Sequence, residues 1–178
     1  MEKSDKKQLK VDYIVQAALI AALYAVLTYL QAFMFPGSTS MAIQFRVSEV
    51  LCMLAVFTPA AIPGLTIGCL TANIMNTGTL PLDIVIGTLA SLFTAVSMYM
   101  LRNVRIKGLP VLASFMPAIF NGILVGLEIE IFFIEGPFNF VSFLIQAGCV
   151  ALGELGVCVV LGLPFAYLVQ KLNLFKRR

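Results

Sequence analysis

Carboxyl and amide side chains occur inside otherwise apolar stretches of this 178-residue sequence. Glu154 lies well inside such a stretch, and Asn121 and Glu128, seven residues apart, fall on one face of a predicted helix. A carboxylate at bilayer depth costs about 3 kcal/mol on insertion scales, so it normally faces a protein interior, a cavity or a partner. These residues therefore predict polar recognition inside an apolar protein. The alternative for Glu154 is a protonated or hydrogen-bonded contact between helices.

A second set of polar residues lies where the chain is predicted to return into the membrane. Arg46 and Glu49 are three residues apart, so they share a helix face and could instead simply neutralise one another. Asn73 follows near the end of another apolar stretch, where the alternative is a hydrogen bond to a neighbouring helix. Asp83 could merely stabilise the start of its helix through the helix dipole.

The side chains needed for catalysis or metal binding are scarce. The sequence has no histidine, and its four cysteines lie in apolar segments without CxxC spacing. The commonest general base and the commonest metal ligand are therefore missing, and buried free cysteine behaves mostly as a small hydrophobe. We predict no catalytic residue, no metal site and no cofactor, which argues against an intramembrane enzyme.

Composition and charge distribution indicate an integral membrane protein. Hydrophobic residues make up 60% of the chain and charged residues only 12%. Eleven of the twelve Lys and Arg residues lie in the stretches 3–10, 102–107 and 171–178, and Arg46 is the exception. Because cytoplasmic segments collect Lys and Arg, both termini and the central stretch are predicted to be cytoplasmic. The net charge of +3 comes from these cytoplasmic segments, whose basic residues determine the topology. We therefore predict no nucleic-acid partner.

The predicted architecture is all-α, with six transmembrane helices in one membrane domain, 1–178. Pro59 and Pro63 separate the second and third spans, since a continuous helix through both prolines is unfavourable. An even number of crossings must also separate the amino terminus from the basic stretch 102–107. The predicted spans are 11–35, 41–57, 60–76, 82–101, 110–133 and 140–169.

Alanines in the first span form small-xxx-small pairs. Such spacing flattens one helix face and lets another helix approach closely, either within the molecule or from a partner. We predict that these residues contact a partner subunit, with internal packing as the alternative. They are Ala17, Ala18, Ala21, Ala22 and Ala25.

The chain resembles the queuosine-precursor transporter (QueT) family. The most specific similarity lies in Ile43-Gln44-Phe45-Arg46-Val47-Ser48-Glu49, in Phe57-Thr58-Pro59-Ala60-Ala61-Ile62-Pro63-Gly64 and in Ala72-Asn73-Ile74. The resemblance implies a multi-pass S-component of an energy-coupling factor (ECF) transporter in the cell membrane. Such a subunit captures a micronutrient and associates with a membrane scaffold subunit and two ATP-binding cassette ATPases. The sequence has no G-x-x-x-x-G-K-[ST] loop, which fits a subunit without its own ATPase.

The resemblance also implies a 7-deazaguanine ligand, such as queuine or its aminomethyl precursor. A carboxylate can accept the N1 and N2 donors of a guanine-type edge, while Arg46 or an Asn amide can donate to O6. Phenylalanines 45, 132, 133, 138 and 140 are candidates for stacking on the ring, with packing as the alternative. The predicted substrate-binding residues are Gln44, Phe45, Arg46, Glu49, Asn73, Asn121, Glu128 and Glu154. The alternative functions are an S-component for another vitamin, a channel or a structural bundle.

Overall fold

The computed structural model describes residues 2–35, 45–76 and 81–175, and the regular structure in these ranges is helical apart from one isolated bridge between Ile106 and Leu109. The α-helices are α1 (Glu2–Met34), α2 (Ala61–Met75), α3 (Pro81–Met100), α4 (Met116–Glu128), α5 (Phe140–Val157) and α6 (Leu163–Lys171). A 3₁₀ helix covers Val47–Val56, and shorter ones cover Leu101–Asn103 and Ala113–Phe115. Two π-helical segments, Ile129–Phe133 and Cys158–Gly162, extend α4 and join α5 to α6.

Four helical stretches in the described residues are long and apolar enough to cross a membrane, which confirms the prediction of an all-helical membrane bundle. They are Gln8–Met34, Pro81–Asn103, Ala113–Phe133 and Phe140–Lys171. Two further apolar helices, Val47–Val56 and Ala61–Met75, are shorter. At about 2.0 Å per 3₁₀ residue and 1.5 Å per α-helical residue, each rises about 20 Å. Each is therefore shorter than the hydrocarbon core of about 30 Å.

Glycines on α2 bring its backbone against α1. A Cβ added to Gly64 would lie 2.8 Å from the carbonyl oxygen of Ala17, and one added to Gly68 would lie 2.9 Å from that of Ala21. These distances are shorter than normal contacts, so only glycine permits this approach. Ala17 and Ala21 thus pack inside the molecule, against α2.

A second close pair forms between α4 and α5. A Cβ added to Gly126 would lie 2.7 Å from the Cα atom of Ala147, and one added to Gly122 would lie 3.1 Å from the Ala147 carbonyl oxygen. Helix α3 packs between the two pairs, against both α2 and α4. The 3₁₀ helix lies at the centre, in contact with α1, α3 and the π-helical segment after α5. Its Met53 is fully buried.

Polar contacts show which helix ends lie together. The Tyr13 hydroxyl is 3.5 Å from the carbonyl oxygen of Pro59, and the Arg105 guanidinium lies over the Phe57 ring at 5.6 Å. The Gln170 amide donates to the Gly108 carbonyl at 3.3 Å. We call this the basic end, since Arg102, Arg105, Lys107 and Lys171 lie in its segments. The opposite, acidic end carries Asp83, Glu128, Glu130 and Glu135.

Candidate functional site

Glu49 is buried in the first turn of the 3₁₀ helix, with 1% of its surface exposed. The Tyr24 hydroxyl donates to one of its carboxylate oxygens, and the Cys52 thiol donates to the other at 2.9 Å. Both oxygens of Glu49 are therefore bound within the protein. The arrangement holds the carboxylate in a fixed position.

A polar face of α1 anchors the residues that precede Glu49. The Gln31 amide donates to the carbonyl of Phe45 and accepts from the backbone N–H of Val47 at 2.7 Å. The Thr28 hydroxyl donates to the Ser48 hydroxyl at 2.8 Å. Sequence reasoning missed this face, although its spacing was a usable signal. Tyr24, Thr28 and Gln31 are four and three residues apart, so a helix places them on one side.

Arg46 lies beside this anchored segment and among acidic groups. Its backbone is extended and immediately precedes the 3₁₀ helix, and its electrostatic neighbours include Glu49 and Glu154. The Nε atom of Arg46 is buried and has no hydrogen-bond partner. A buried donor without a partner is costly, so this atom is available to a ligand acceptor.

Glu154 is brought to the same region by α5. The Asn121 amide on α4 donates to Glu154 Oε1 at 3.0 Å, while the buried Oε2 atom has no partner. Only 2% of the Glu154 surface is exposed. The glycine contacts between α4 and α5 fix the helix spacing that this hydrogen bond requires. An unpartnered buried carboxylate oxygen points to a missing donor.

Phe45 lies close to the same stretch of α5. A Cβ added to Gly156 would be 3.5 Å from the Phe45 ring, which is about half exposed. The other candidate stacking residues, Phe132, Phe133, Phe138 and Phe140, are each at least half exposed. Phe45 thus lies against Gly156, two residues beyond Glu154 on α5.

Glu128 is buried at the end of α4, where the π-helical segment begins. Its Oε1 atom has no partner, its side chain is close enough to Asp83 for a hydrogen bond, and Arg46 acts on it electrostatically. Glu130 is also buried, but its Oε1 atom accepts the backbone N–H of Asn139 at 2.9 Å. Glu130 thereby fixes the residue that caps α5, since the Asn139 side chain accepts from the first turn of that helix.

Asn73 lies apart from the Glu154 region, between α2 and α3. Its amide nitrogen is 3.5 Å from the backbone oxygen of Asp83 and 3.6 Å from the sulfur of Cys69. Asn73 thus holds the start of α3, where Asp83 lies. Gln44 lies outside the described residues.

The predicted site residues therefore separate into two neighbouring groups. The first group contains Arg46, Glu49, Asn121 and Glu154, with Phe45 beside it. The second contains Glu128 with Asp83, and Asn73 positions the backbone of the latter. Arg46 acts on both groups.

The alanines of α1 also separate into two sets. Ala17 and Ala21 contact α2, and Ala25 is buried with 9% of its surface exposed. Ala18 and Ala22 are exposed on the outer side of α1. The outward alanine surface is therefore Ala18 and Ala22 alone.

A cleft of about 390 Å³ opens at the basic end. It is lined by Phe57, Arg105, Gly108, Val169, Gln170, Asn173 and Phe175. The cleft offers no acceptor carboxylate for the N–H donors of a guanine-type ring. Nor do the described ranges contain three or more metal-binding side chains grouped to hold an ion. We therefore locate the candidate site at the Glu154 and Glu128 groups.

Comparison with known proteins gives one family and one relative. A family model described as QueT transporter matches residues 14–171. A protein of Lactococcus lactis subsp. cremoris (strain MG1363), named queuosine precursor transporter QueT, is 38% identical over 89 residues. That match covers 48% of this chain and 48% of the relative, about half the length of each. No solved structure matches the chain.

Proposed function

The chain belongs to the QueT transporter family, and we propose that it is the substrate-binding S-component of an ECF-type importer. It is a multi-pass protein of the cell membrane. In the proposed function it captures a queuosine precursor or a queuine-like 7-deazaguanine from outside. Transport then requires a membrane scaffold subunit and two ATP-binding cassette ATPases, and the chain itself performs no catalysis.

The unpartnered Oε2 atom of Glu154 carries the substrate proposal. Asn121 holds the other carboxylate oxygen, so the free oxygen has a fixed position from which to accept N–H donors of a guanine-type edge. The Arg46 guanidinium donates to the carbonyl O6 of the ring. Glu49, bound on both oxygens, holds the negative charge that keeps Arg46 in place, and Phe45 stacks on the ring.

We also propose six membrane crossings with the basic end in the cytoplasm. Successive helices, both long and short, run alternately toward the acidic end and toward the basic end. This alternation supports six membrane crossings. The Lys and Arg residues of the basic end support the orientation. The substrate then enters from the acidic end, where the excess of carboxylates attracts a cationic substituent.

The outward surface of α1 is the proposed contact with the scaffold subunit. Ala18 and Ala22 are exposed, small and one turn apart, so a partner helix can approach the α1 backbone closely there. Ala17, Ala21 and Ala25 support this surface from within, through their contacts with the rest of the bundle.

The test is calorimetric titration of the purified full chain with a 7-deazaguanine and, separately, with a 7-deazaadenine. Glu154→Gln loses a charged acceptor, so we expect deazaguanine affinity to fall about 100-fold, equivalent to about 2.7 kcal/mol. Glu135→Gln, at an exposed position of the same end, is the matched control and should bind like the parent.

Equal affinity of Glu154→Gln and parent, with both folded, would refute the assigned site. Failure of the parent to prefer deazaguanine over deazaadenine would refute the substrate class. Saturable binding of a different vitamin by the parent would then identify an S-component of another specificity.

A further inference from the structure

The side chain of Gln31 on α1 binds the backbone on both sides of Arg46. Its amide nitrogen donates to the carbonyl oxygen of Phe45, and its amide oxygen accepts the backbone N–H of Val47 at 2.7 Å. These two groups belong to the peptide units that flank Arg46. A primary amide offers a donor and an acceptor side by side, so one side chain can pair with both groups as a neighbouring β-strand would.

The paired segment has the extended backbone that such pairing requires. Arg46 has φ −108° and ψ 101°, and its carbonyl oxygen accepts the backbone N–H of Glu49 at 3.0 Å, at the start of the 3₁₀ helix. Three residues before Gln31 on α1, the Thr28 hydroxyl donates to the Ser48 hydroxyl at 2.8 Å. The backbone of Arg46 is therefore held by α1 and by the helix that follows it in the chain.

Fixing this backbone determines where the recognition groups attached to it can lie. The Arg46 guanidinium is at the end of a long side chain, so a small backbone rotation moves it out of the narrow range of hydrogen-bond distances. Its buried Nε atom has no partner among the described residues, which leaves it for a ligand acceptor. The Phe45 ring lies 3.5 Å from a Cβ added to Gly156. Both groups extend from the segment that Gln31 holds.

We propose that Gln31 is a positioning residue for substrate recognition, which acts by fixing the backbone from which Arg46 and Phe45 reach the substrate. The inference rests on the proposed function, in which Arg46 donates to O6 of a 7-deazaguanine and Phe45 stacks on its ring. Removing the donor or the acceptor of Gln31 should therefore weaken binding, and most of the loss should depend on Arg46.

Gln31→Glu tests this role, because its two protonation states differ in one of the two hydrogen bonds. A protonated carboxyl group donates to the Phe45 carbonyl and accepts the Val47 N–H, as the amide does, whereas an ionised carboxylate only accepts. At about pH 7.5 the variant should bind a 7-deazaguanine about tenfold more weakly than the parent. At about pH 4.5, near the ordinary pKa of glutamic acid, its affinity should recover to within about twofold of the parent. Calorimetric titration of the purified full chain measures both affinities.

Gln16→Glu is the matched control, because it makes the same change on the same helix at the basic end. Gln16 is partly buried like Gln31, and its Oε1 atom accepts from the Thr58 hydroxyl at 2.9 Å, a bond that a carboxylate keeps. We expect this variant to bind like the parent at both pH values. Each variant is compared with the parent at the same pH, because the parent also contains the ionisable groups that act on Arg46, namely Tyr24, Cys69, Glu49 and Glu154.

A double-mutant cycle with Arg46→Lys separates positioning from a general structural role. Gln31→Ala should weaken binding by the parent about tenfold, but binding by Arg46→Lys less than about threefold, because the planar fork that Gln31 positions is already lost. Thermal unfolding checks that each variant is folded at the temperature of the titration.

Three results would overturn the positioning role while the parent still binds and the proposed function stands. They are parent-like affinity of Gln31→Glu at about pH 7.5, an undiminished deficit of that variant at about pH 4.5, and additive effects of Gln31→Ala and Arg46→Lys. A parent that binds no 7-deazaguanine would overturn both proposals.

Discussion

The contact between α4 and α5 gives the sharpest mutational prediction, because glycine contacts there control a distance in the candidate site. A Cβ added to Gly126 lies 2.7 Å from the Ala147 Cα, 2.8 Å from its backbone nitrogen and 2.9 Å from its Cβ. Ordinary contact begins at 3.4 Å, so Gly126→Ala must separate the helices by about 0.7 Å. Two of these neighbours are backbone atoms and the third is a Cβ atom, so none of them can rotate away.

This separation acts directly on the hydrogen bond between Asn121 and Glu154. Adding it to the present 3.0 Å distance stretches that bond beyond hydrogen-bonding range. We expect Gly126→Ala to lower the free energy of unfolding by about 1–3 kcal/mol from overpacking. Loss of the positioned carboxylate should weaken deazaguanine binding about tenfold.

Gly148→Ala on α5 is the matched control for this prediction. An added Cβ there meets no atom within 4 Å, so only the helix preference of alanine changes, in the stabilising direction. Thermal unfolding in detergent and calorimetric binding measure the two effects. If Gly126→Ala is as stable and binds as tightly as Gly148→Ala, the glycine contact does not set the geometry of the site.

Three further substitutions test other parts of the structure. Tyr24→Phe removes a donor from buried Glu49 and should reduce the free energy of unfolding by about 1–3 kcal/mol, measured by thermal unfolding; an unchanged melting curve would contradict the anchoring role. Arg46→Lys keeps the charge but loses the planar fork, so binding should weaken without any change in the sidedness of labelled termini; parent-like uptake would favour a mere topology signal. Ala18→Leu combined with Ala22→Leu should abolish assembly with the scaffold subunit while deazaguanine binding persists; intact assembly and uptake would remove this surface from the interface.

The helical membrane architecture was predictable from the apolar composition together with apolar stretches of about 20 residues, the length of a membrane-spanning helix. A chain that is 60% hydrophobic has too few polar residues to cover a soluble core, and backbone groups in lipid must pair within helices or closed barrels. The family assignment was also predictable from the segments around Arg46 and Pro59, and the family match over residues 14–171 confirms it.

The pairing inside the site was less accessible to sequence reasoning. Asn121 and Glu154 were each conspicuous as polar groups in apolar helices, but their hydrogen bond depends on helix rotation and spacing. The close approach of Gly126 to Ala147 sets both, and a sequence does not reveal which small residues face each other. The alanines of α1 illustrate the same gap, since the glycines opposite Ala17 and Ala21 lie on α2, far away in the chain.

Irregular helical geometry accounts for the remaining difference between the predicted spans and the site. Glu49 lies in the first turn of a ten-residue 3₁₀ helix, and Glu128 and Glu154 each lie shortly before a π-helical segment. A 3₁₀ run rarely exceeds three or four residues, and single π turns occur often at functional sites. Both kinds of helix change the direction of side chains relative to an α-helix. Periodicity arguments assume 3.6 residues per turn, so they misplace side chains wherever these segments occur. Composition identified the three carboxylates as candidates because they lie in apolar stretches. Their mutual geometry depends on the adjoining irregular segments, so it could not be predicted from the sequence.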